Sequence, residues 1–283
     1  MKMTKRIAAM AACAVMTVTS MVGMSASAAT DDHGNTMATA TMFTSSVSGK
    51  IETAGDVDFF KYTATSSGVK YFTTTGNNSI ITVYNASGST VSSSGGTYGG
   101  KKLAGYNMNS GETCYVSVRE NSSTYGTSYT LKVSNKLNVS HLYQGDSRWG
   151  SQIMKGNTAL NETIAGSGCA ITSCAVVINY LKNKSITPTT LNTATYLDSA
   201  NRVKSWSKIG SAYNLSYIAP STTEAITYLK RGFPVIVHNG THYSVAVGYE
   251  NGNFLVSNVG SSSSSIQTWG ESTVDQRIVF YGN

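Results

Sequence analysis

The sequence predicts two folded domains, an all-β sandwich followed by an α+β domain. The chain has 283 residues, which exceeds what one ordinary domain needs. From residue 30 to about 136 it contains no proline and shows short hydrophobic runs of period two between Gly, Ser and Asn turns, a pattern typical of a sandwich. All three prolines and all three tryptophans lie beyond residue 136, where two helical patterns precede several strand-like runs, as in α+β domains. We therefore divide the chain into 1–29, 30–136 and 137–283.

Residues 1–29 have the pattern of a secretory signal peptide. Lys2, Lys5 and Arg6 precede an apolar, Ala- and Met-rich stretch, and the small residues Ala26-Ser27-Ala28 follow. This order predicts export with cleavage near Ala28/Ala29. We therefore expect a secreted, extracellular protein with no membrane span, because no other run approaches the roughly 20 apolar residues that a spanning helix needs.

Composition argues against two classes of protein. Only 12% of the residues are charged, whereas 10% are aromatic, so disorder over most of the chain is not expected. The formal net charge is +7, but three of the cations lie in the leader and no later Lys/Arg cluster is longer than two. A nucleic-acid partner is therefore not expected.

The cysteines differ in their settings. Beyond the leader there are three, Cys114, Cys169 and Cys174, which cannot all pair and do not have zinc-site spacing. Cys169 follows Gly168 at the start of a predicted helix over 169–182, where helix N–H groups are expected to depress the thiol pKa. Cys174 and Cys114 lie among apolar residues and are predicted to be small core residues.

Two histidines are candidates for a base that serves Cys169. His242 opens a predicted strand, and Asn258 ends the next one, so hairpin pairing can place the two side by side. His238 precedes the same turn and is the rival candidate. Either histidine alone could be an ordinary surface or core residue, and the nearby Asn258 is what favours His242.

Other elements of the second half are read from their local signals. A helix is predicted from Thr222 to Arg231, because Ser221 and Glu224 form a capping-box pattern and Gly232 follows. Strands are predicted over Val235–His238, Tyr243–Tyr249, Phe254–Ser257 and Arg277–Tyr281. In the first half they are predicted over Val69–Thr74, Ile80–Tyr84, Cys114–Val118 and Tyr129–Val133.

Four acidic residues of the first half, Asp31, Asp32, Asp56 and Asp58, could hold a structural calcium ion, which prefers several oxygen ligands in one place. The alternative is that they are turn residues whose carboxylates bond their own backbone. We favour turn residues, because the sequence does not complete the ligand set.

Four motifs in order resemble the papain-fold cysteine peptidases, and within them the peptidase C-39-like family of bacteriocin-processing peptidases and their secreted relatives. They are YQGDSRW, GCAITSCAVVINYL, GFPVIVHNGTHYSVAVGY and a strand ending in Asn, within residues 140–283. The resemblance implies a thiol peptidase that hydrolyses peptide or protein substrates without a cofactor. It assigns the nucleophile to Cys169, the base to His242, the orienting residue to Asn258 and the oxyanion donor to Gln144.

The first half resembles the bacterial pre-peptidase C-terminal domain, a jelly-roll-like sandwich. The motifs are DDHGN at Asp31–Asn35, GDVDFF at Gly55–Phe60 and GETCYV at Gly111–Val116. Such domains bind or assist folding, which implies a role in attachment to a surface or to extracellular matrix. We expect the second half to fold and to act on small peptides without it.

Two alternative functions remain open. One is a secreted cell-wall amidase or transglutaminase-like hydrolase, although such amidases commonly carry Asp where this chain has Gly168. The other is a non-catalytic adhesin with a degenerate peptidase fold. The presence of every expected catalytic residue type argues against the adhesin.

Overall fold

A computed structural model describes residues 30–75, 79–94, 97–98, 101–121 and 125–282. The predicted signal peptide lies outside these residues. The structure is mostly β-sheet with few helices. Among the described residues, no helix is long and apolar enough to cross a membrane.

Two β-sheets make up the N-terminal half. One has the order β1-β3-β9-β5-β6, and in the other β2, β10, β4 and β8 are neighbours, with β7 on β8. Side chains of both sheets, such as Phe60, Val116, Phe72 and Leu131, share one buried core. The strands are β1 (Thr41–Met42), β2 (Ser46–Lys50), β3 (Asp58–Thr63), β4 (Gly68–Thr74), β5 (Ser79–Asn85), β6 (Thr90–Ser93), β7 (Thr97–Tyr98), β8 (Lys101–Met108), β9 (Thr113–Glu120) and β10 (Ser128–Ser134).

The C-terminal half places helices before and between its strands. The helices are α1 (Ile164–Ser167), α2 (Cys169–Lys182), α3 (Pro188–Leu191), α4 (Trp206–Ser211) and α5 (Thr222–Lys230). The strands are β11 (Ser216–Ile218), β12 (Val235–His238), β13 (Tyr243–Glu250), β14 (Asn253–Ser257), β15 (Ile266–Gly270) and β16 (Gln276–Tyr281). Single 3-10 turns occur at Met37–Thr39, Thr158–Leu160 and Glu271–Thr273.

The elements predicted from periodicity are present. Each predicted strand lies within two residues of an observed one, and the predicted helix over 169–182 is α2. At α5, the Glu224 amide donates to Ser221 Oγ at 3.3 Å while the Ser221 amide donates to Glu224 Oε2 at 2.8 Å, as the capping-box pattern predicts. The helix ends before Gly232, whose φ of 88° suits glycine.

The two halves share a sheet and a core. Strand β13 pairs with β4 through Glu250 and Gly68, so one sheet runs from β11 to β2. Val69, Tyr71 and Leu103 of the N-terminal half are buried in the core that includes α2. The described residues from Asp31 onward form one compact unit, and the predicted boundary between residues 136 and 137 falls inside it.

Candidate active site

Cys169 is the first residue of α2, directly after the short helix α1. Gly168 joins the two helices and donates its amide to the Ile164 carbonyl at 2.8 Å. A side chain at this position would place a Cβ 2.5 Å from that carbonyl oxygen. The tight turn thus requires glycine, and it holds the thiol at the helix N-terminus.

The expected depression of the Cys169 pKa is wrong. Burial raises the pKa of this thiol, because the thiolate loses hydration. Hydrogen bonds with the backbone of Tyr243 and Ala170 and the positive charge of Arg202 act in the opposite direction, but they do not outweigh burial. The helix N-terminus was identified correctly, whereas the depth of the thiol was not visible in the sequence.

His242 and Asn258 lie side by side, as hairpin pairing predicts. The imidazole Nε2 is 2.9 Å from Asn258 Oδ1. His242 immediately precedes β13, and Asn258 immediately follows β14, the strand paired with it. Tyr243, the residue after His242, lines the same cleft as Cys169, so this hairpin also brings the histidine segment to the start of α2.

The Asn258 amide is fixed in one orientation. Its Oδ1 also accepts from Ser244 Oγ at 3.1 Å and from the Gly260 amide at 2.8 Å. Its Nδ2 donates to Gln267 Oε1 at 2.9 Å. With its oxygen directed at His242, the asparagine requires the imidazole proton on Nε2 and leaves Nδ1 with the lone pair.

The surroundings of His242 favour its neutral form. Burial lowers the pKa of the imidazole, while the hydrogen bond with Asn258 partly offsets this effect. The Trp269 ring lies edge-on at 6.3 Å. A Cβ at Gly260 would lie 2.8 Å from His242 Nε2 and Cε1, so glycine there makes room for the imidazole.

His238 is held in a different manner. Its Nδ1 lies 2.7 Å from Asp275 Oδ1, and its ring packs on Tyr243 at 4.3 Å. Both histidines therefore have a polar partner, a carboxylate for His238 and an amide for His242.

Gln144 is buried and bonds the backbone near both Asn258 and Cys169. Its backbone amide donates to the Val259 carbonyl at 2.8 Å, and its side-chain Nε2 donates to the Ala165 carbonyl at 2.6 Å. Val259 follows Asn258, and Ala165 lies four residues before Cys169. The side-chain amide has two N–H groups, of which the Ala165 contact uses one.

An open cleft of about 490 Å³ lies beside Cys169. Its walls come from the start of α2, the segment before α4 and the turn between β12 and β13; the lining residues include Cys169, Arg202, Trp206, His238 and Tyr243. By contrast, Cys174 and Cys114 are fully buried, as predicted for core residues.

Several residues of the site were missed from the sequence. Ser244, Gln267 and Trp269 support the His242–Asn258 pair, and Arg202 and Asp275 lie around the cleft. Ser244 had a usable signal, because it is two residues after His242 and such residues share a strand face. The others come from distant segments that only folding brings together.

The acidic residues of the N-terminal half form a second cluster. Carboxylate oxygens of Asp31, Asp56 and Asp58 lie within 4.8 Å of one another, as do those of Asp31, Asp32 and Glu52. As predicted for turn residues, Asp31 and Asp56 accept nearby backbone amides, from His33 at 3.2 Å and Glu52 at 2.9 Å. Asp58 departs from that prediction, since it starts β3 and is fully buried.

Some buried carboxylate oxygens of this acidic cluster have no hydrogen-bond donor. Among the described residues, no donor bonds the buried atoms Glu52 Oε2, Asp56 Oδ1 or Asp58 Oδ1. Tyr129 donates to the other oxygen of Asp58. Burial, followed by the charges of Asp56 and Asp32, raises the pKa of Asp58 to about 7. Oxygen atoms of this kind fit the donor set that calcium prefers.

Comparison with known proteins identifies the family. The sequence model of the Peptidase_C39 like family matches residues 136–277. The chain belongs to the Peptidase_C39 like family. This membership agrees with the resemblance found in the four ordered motifs and makes the chain a member of a peptidase family.

Solved structures similar to this Peptidase_C39 like chain include three proteins. The double glycine motif protease from an AMS/PCAT transporter is 16% identical and covers 53% of this chain and 95% of its own, with a TM-score of 0.36. The pre-peptidase C-terminal domain of Bacillus anthracis collagenase is 17% identical, covering 34% and 94%, with a TM-score of 0.28. The Aeromonas hydrophila periplasmic lysozyme inhibitor PliG is 13% identical, covering 33% and 96%, with a TM-score of 0.25. No curated protein sequence matches the chain.

Proposed function

We propose that this chain is a secreted cysteine peptidase with a papain-like α+β arrangement in residues 137–283. Cys169 is the nucleophile, His242 the base, Asn258 the residue that orients the base, and Gln144 an oxyanion donor. The observation that carries the proposal is the His242–Asn258 hydrogen bond of 2.9 Å, on a hairpin in which Tyr243, directly after His242, lines the same cleft as Cys169. Family membership supports the peptidase class, and the leader pattern supports export.

The protonation states define how the nucleophile is activated. Burial raises the pKa of Cys169 and lowers that of His242, so the resting pair is a neutral thiol and a neutral imidazole. Asn258 holds the proton on Nε2, and Nδ1 is therefore the basic atom. The thiol proton moves to Nδ1 as the sulfur attacks, which is general-base assistance rather than a preformed ion pair.

The reaction then follows acyl transfer. Sγ of Cys169 forms a bond to the peptide carbonyl carbon, and the oxyanion accepts hydrogen bonds from the Cys169 backbone N–H and the Gln144 side-chain amide. The C–N bond breaks as Nδ1–H of His242 protonates the departing amine. Water, deprotonated by the same Nδ1, attacks the thioester and releases the carboxylic acid, and the proton returns to the thiolate.

For the N-terminal half we propose two roles, attachment to another surface and binding of a structural cation. Its buried, unpartnered carboxylate oxygens on Glu52, Asp56 and Asp58 support a calcium ion as the missing positive charge. The ion would be structural, because the peptidase reaction uses none of these residues. Attachment to a surface or to extracellular matrix remains the proposed role of this half.

The test uses two variants of the mature chain, each with one cysteine replaced by alanine. Cys169→Ala should lower hydrolysis of a fluorogenic peptide mixture by roughly 10⁴-fold or more, because the nucleophile is lost. Cys174→Ala, which removes a buried thiol of the same helix, should stay within a small factor. Iodoacetamide labelling with mass mapping should modify Cys169 in the folded protein. If the Cys169→Ala variant folds and still hydrolyses the peptides at the wild-type rate, the proposal is contradicted. If the wild-type protein shows neither hydrolysis nor labelling of Cys169, the adhesin is favoured.

A further inference from the structure

The cleft beside Cys169 carries an uncompensated positive charge. Arg202 lines this cavity together with Cys169, Trp206 and Tyr243. None of the described residues that line it is acidic. The Arg202 charge also lowers the pKa of the Cys169 thiol, so its field reaches the reacting sulfur.

The nearest acid in sequence does not neutralise Arg202. Asp198 Oδ1 accepts the backbone amides of Ala200 and Arg202, each at 2.9 Å. That carboxylate therefore closes a turn. Within the described part of the chain, the Arg202 guanidinium forms no ion pair. Its five N–H donors suit a carboxylate, which can accept two parallel hydrogen bonds.

The backbone that carries Arg202 is held firmly. Asn201 is buried and has a left-handed φ of 56°. Its Oδ1 accepts the Asn157 amide at 2.7 Å, and its Nδ2 donates to Glu162 Oε2 at 3.0 Å. The Asp198 amide donates to the Arg202 carbonyl at 2.9 Å. A fixed backbone lowers the entropy that a binding group loses when ligand arrives.

The flanking charges have the same sign. Lys204 and Lys208 follow Arg202 within seven residues, and no acidic residue occurs between Ser199 and Thr223. Across the cleft, His238 already has Asp275 as its carboxylate partner. The segment from Arg202 to Lys208 therefore presents positive charge to an arriving peptide and attracts a negatively charged one.

We propose that the cleft selects peptides that carry a carboxylate close to the scissile bond and that Arg202 binds this carboxylate. The carboxylate is either an Asp or Glu side chain or the free C-terminus of a short peptide. Arg202 is a specificity residue, with no part in bond breaking. The inference rests on the proposed function, because it names the substrate class of the same cleft.

The first experiment needs no substrate. Cys169 of the full mature chain is alkylated with iodoacetate, an anion, and with iodoacetamide, its neutral analogue, and the ratio of the two rates is measured. Arg202→Gln should lower that ratio by about threefold or more, since a nearby cation attracts the anion. Arg119→Gln, which removes an exposed cation from β9, should leave it unchanged. Equal ratios in wild type and Arg202→Gln overturn the inference.

The second experiment uses peptide pairs. Glu and Gln are compared at each position around the cleaved bond, and C-terminal acids are compared with amides, which separates the two sources of carboxylate. The preferred acid should show about tenfold higher kcat/KM than its neutral partner. Arg202→Gln should bring this ratio close to one, and Arg202→Glu should shift the preference to Lys.

The outcomes separate this inference from the proposed function. Cys169-dependent hydrolysis with no acid preference at any position overturns the carboxylate site and leaves the peptidase intact. If the acid preference persists in Arg202→Gln, another group binds the carboxylate, and the proposed role of Arg202 is overturned. Hydrolysis that persists in Cys169→Ala contradicts the proposed function, and the alkylation ratio still reports on Arg202.

Discussion

Two clusters of polar side chains, one around His242 and one in the acidic cluster of the N-terminal half, differ in how their polar atoms are satisfied. Around His242, each polar atom of the Asn258 amide has a partner within the chain. In the acidic cluster, buried oxygens of Asp56 and Asp58 have none among the described residues. Partners on every polar atom hold the Asn258 amide in one orientation. Carboxylate oxygens without a partner are instead available to a cation, which is why we propose ion binding for the acidic cluster.

Among the changes that test this comparison, replacement of His242 should have the largest effect, and the effect is on catalytic rate. His242→Ala should lower kcat by about 10²- to 10⁴-fold, because the proposed base for the Cys169 proton is lost. His238→Ala, the matched change across the same turn, should have a much smaller effect, because the proposed base is His242, whose Nε2 is held by Asn258 Oδ1. Peptide hydrolysis and the rate of Cys169 alkylation at neutral pH measure both. A reversed order would mean that His238 is the base.

Calcium binding to the acidic cluster of the N-terminal half should have a smaller effect, and the effect is on thermal stability. At a hundredfold excess over its Kd, the ion should stabilise the fold by about 2.7 kcal/mol, or roughly 5–10 °C in Tm. Asp58→Asn should reduce that shift, whereas Asp198→Asn, whose carboxylate closes a turn in the other half, should retain it. Thermal melts with calcium and with a chelator measure this. An undiminished shift in Asp58→Asn would contradict the site.

The same cluster predicts a direction for pH. The folded-state pKa of Asp58 is raised to about 7, above its unfolded value. Its favourable contribution to stability is therefore present at low pH and is lost as pH rises through about 7 without an ion. Calcium should consequently raise Tm more at pH 8 than at pH 5. An equal shift at both values would argue against carboxylate ligation.

The smallest effect is expected from two core substitutions, which test whether the two halves unfold separately. Val69 and Val83 are both fully buried, Val69 in the core that includes α2 and Val83 in the sandwich core. Either change to Ala should lower stability by on the order of 2 kcal/mol. Pulsed thiol labelling then follows each half, with Cys114 reporting the sandwich and Cys174 reporting α2.

Because the cores share a sheet, we expect Cys114 and Cys174 to become reactive at one denaturant midpoint and both variants to shift the two together. Separate midpoints would show that each half unfolds independently. They would also support the expectation that the second half folds alone, against which the burial of Tyr71 and Leu103 in its core argues.

The sequence by itself determined the local elements and the order of the site residues. The period of apolar residues gave α2 and the main strands, Ser221 and Glu224 gave the start of α5, and the interval from His242 to Asn258 gave their pairing across a hairpin. These features depend on backbone geometry within a few residues, which is why local patterns predict them.

Only the tertiary structure decided the electrostatics and the joining of the halves. It left Cys169 half-buried and reversed the expected direction of its pKa, because hydration depends on atoms from distant segments. It placed Arg202 beside Cys169 and Val69 against the core of α2, and it buried Asp58 at the start of β3, where the sequence had predicted a turn residue. Burial and charge are sums over all neighbours in space, and a single sequence lists neighbours only along the chain.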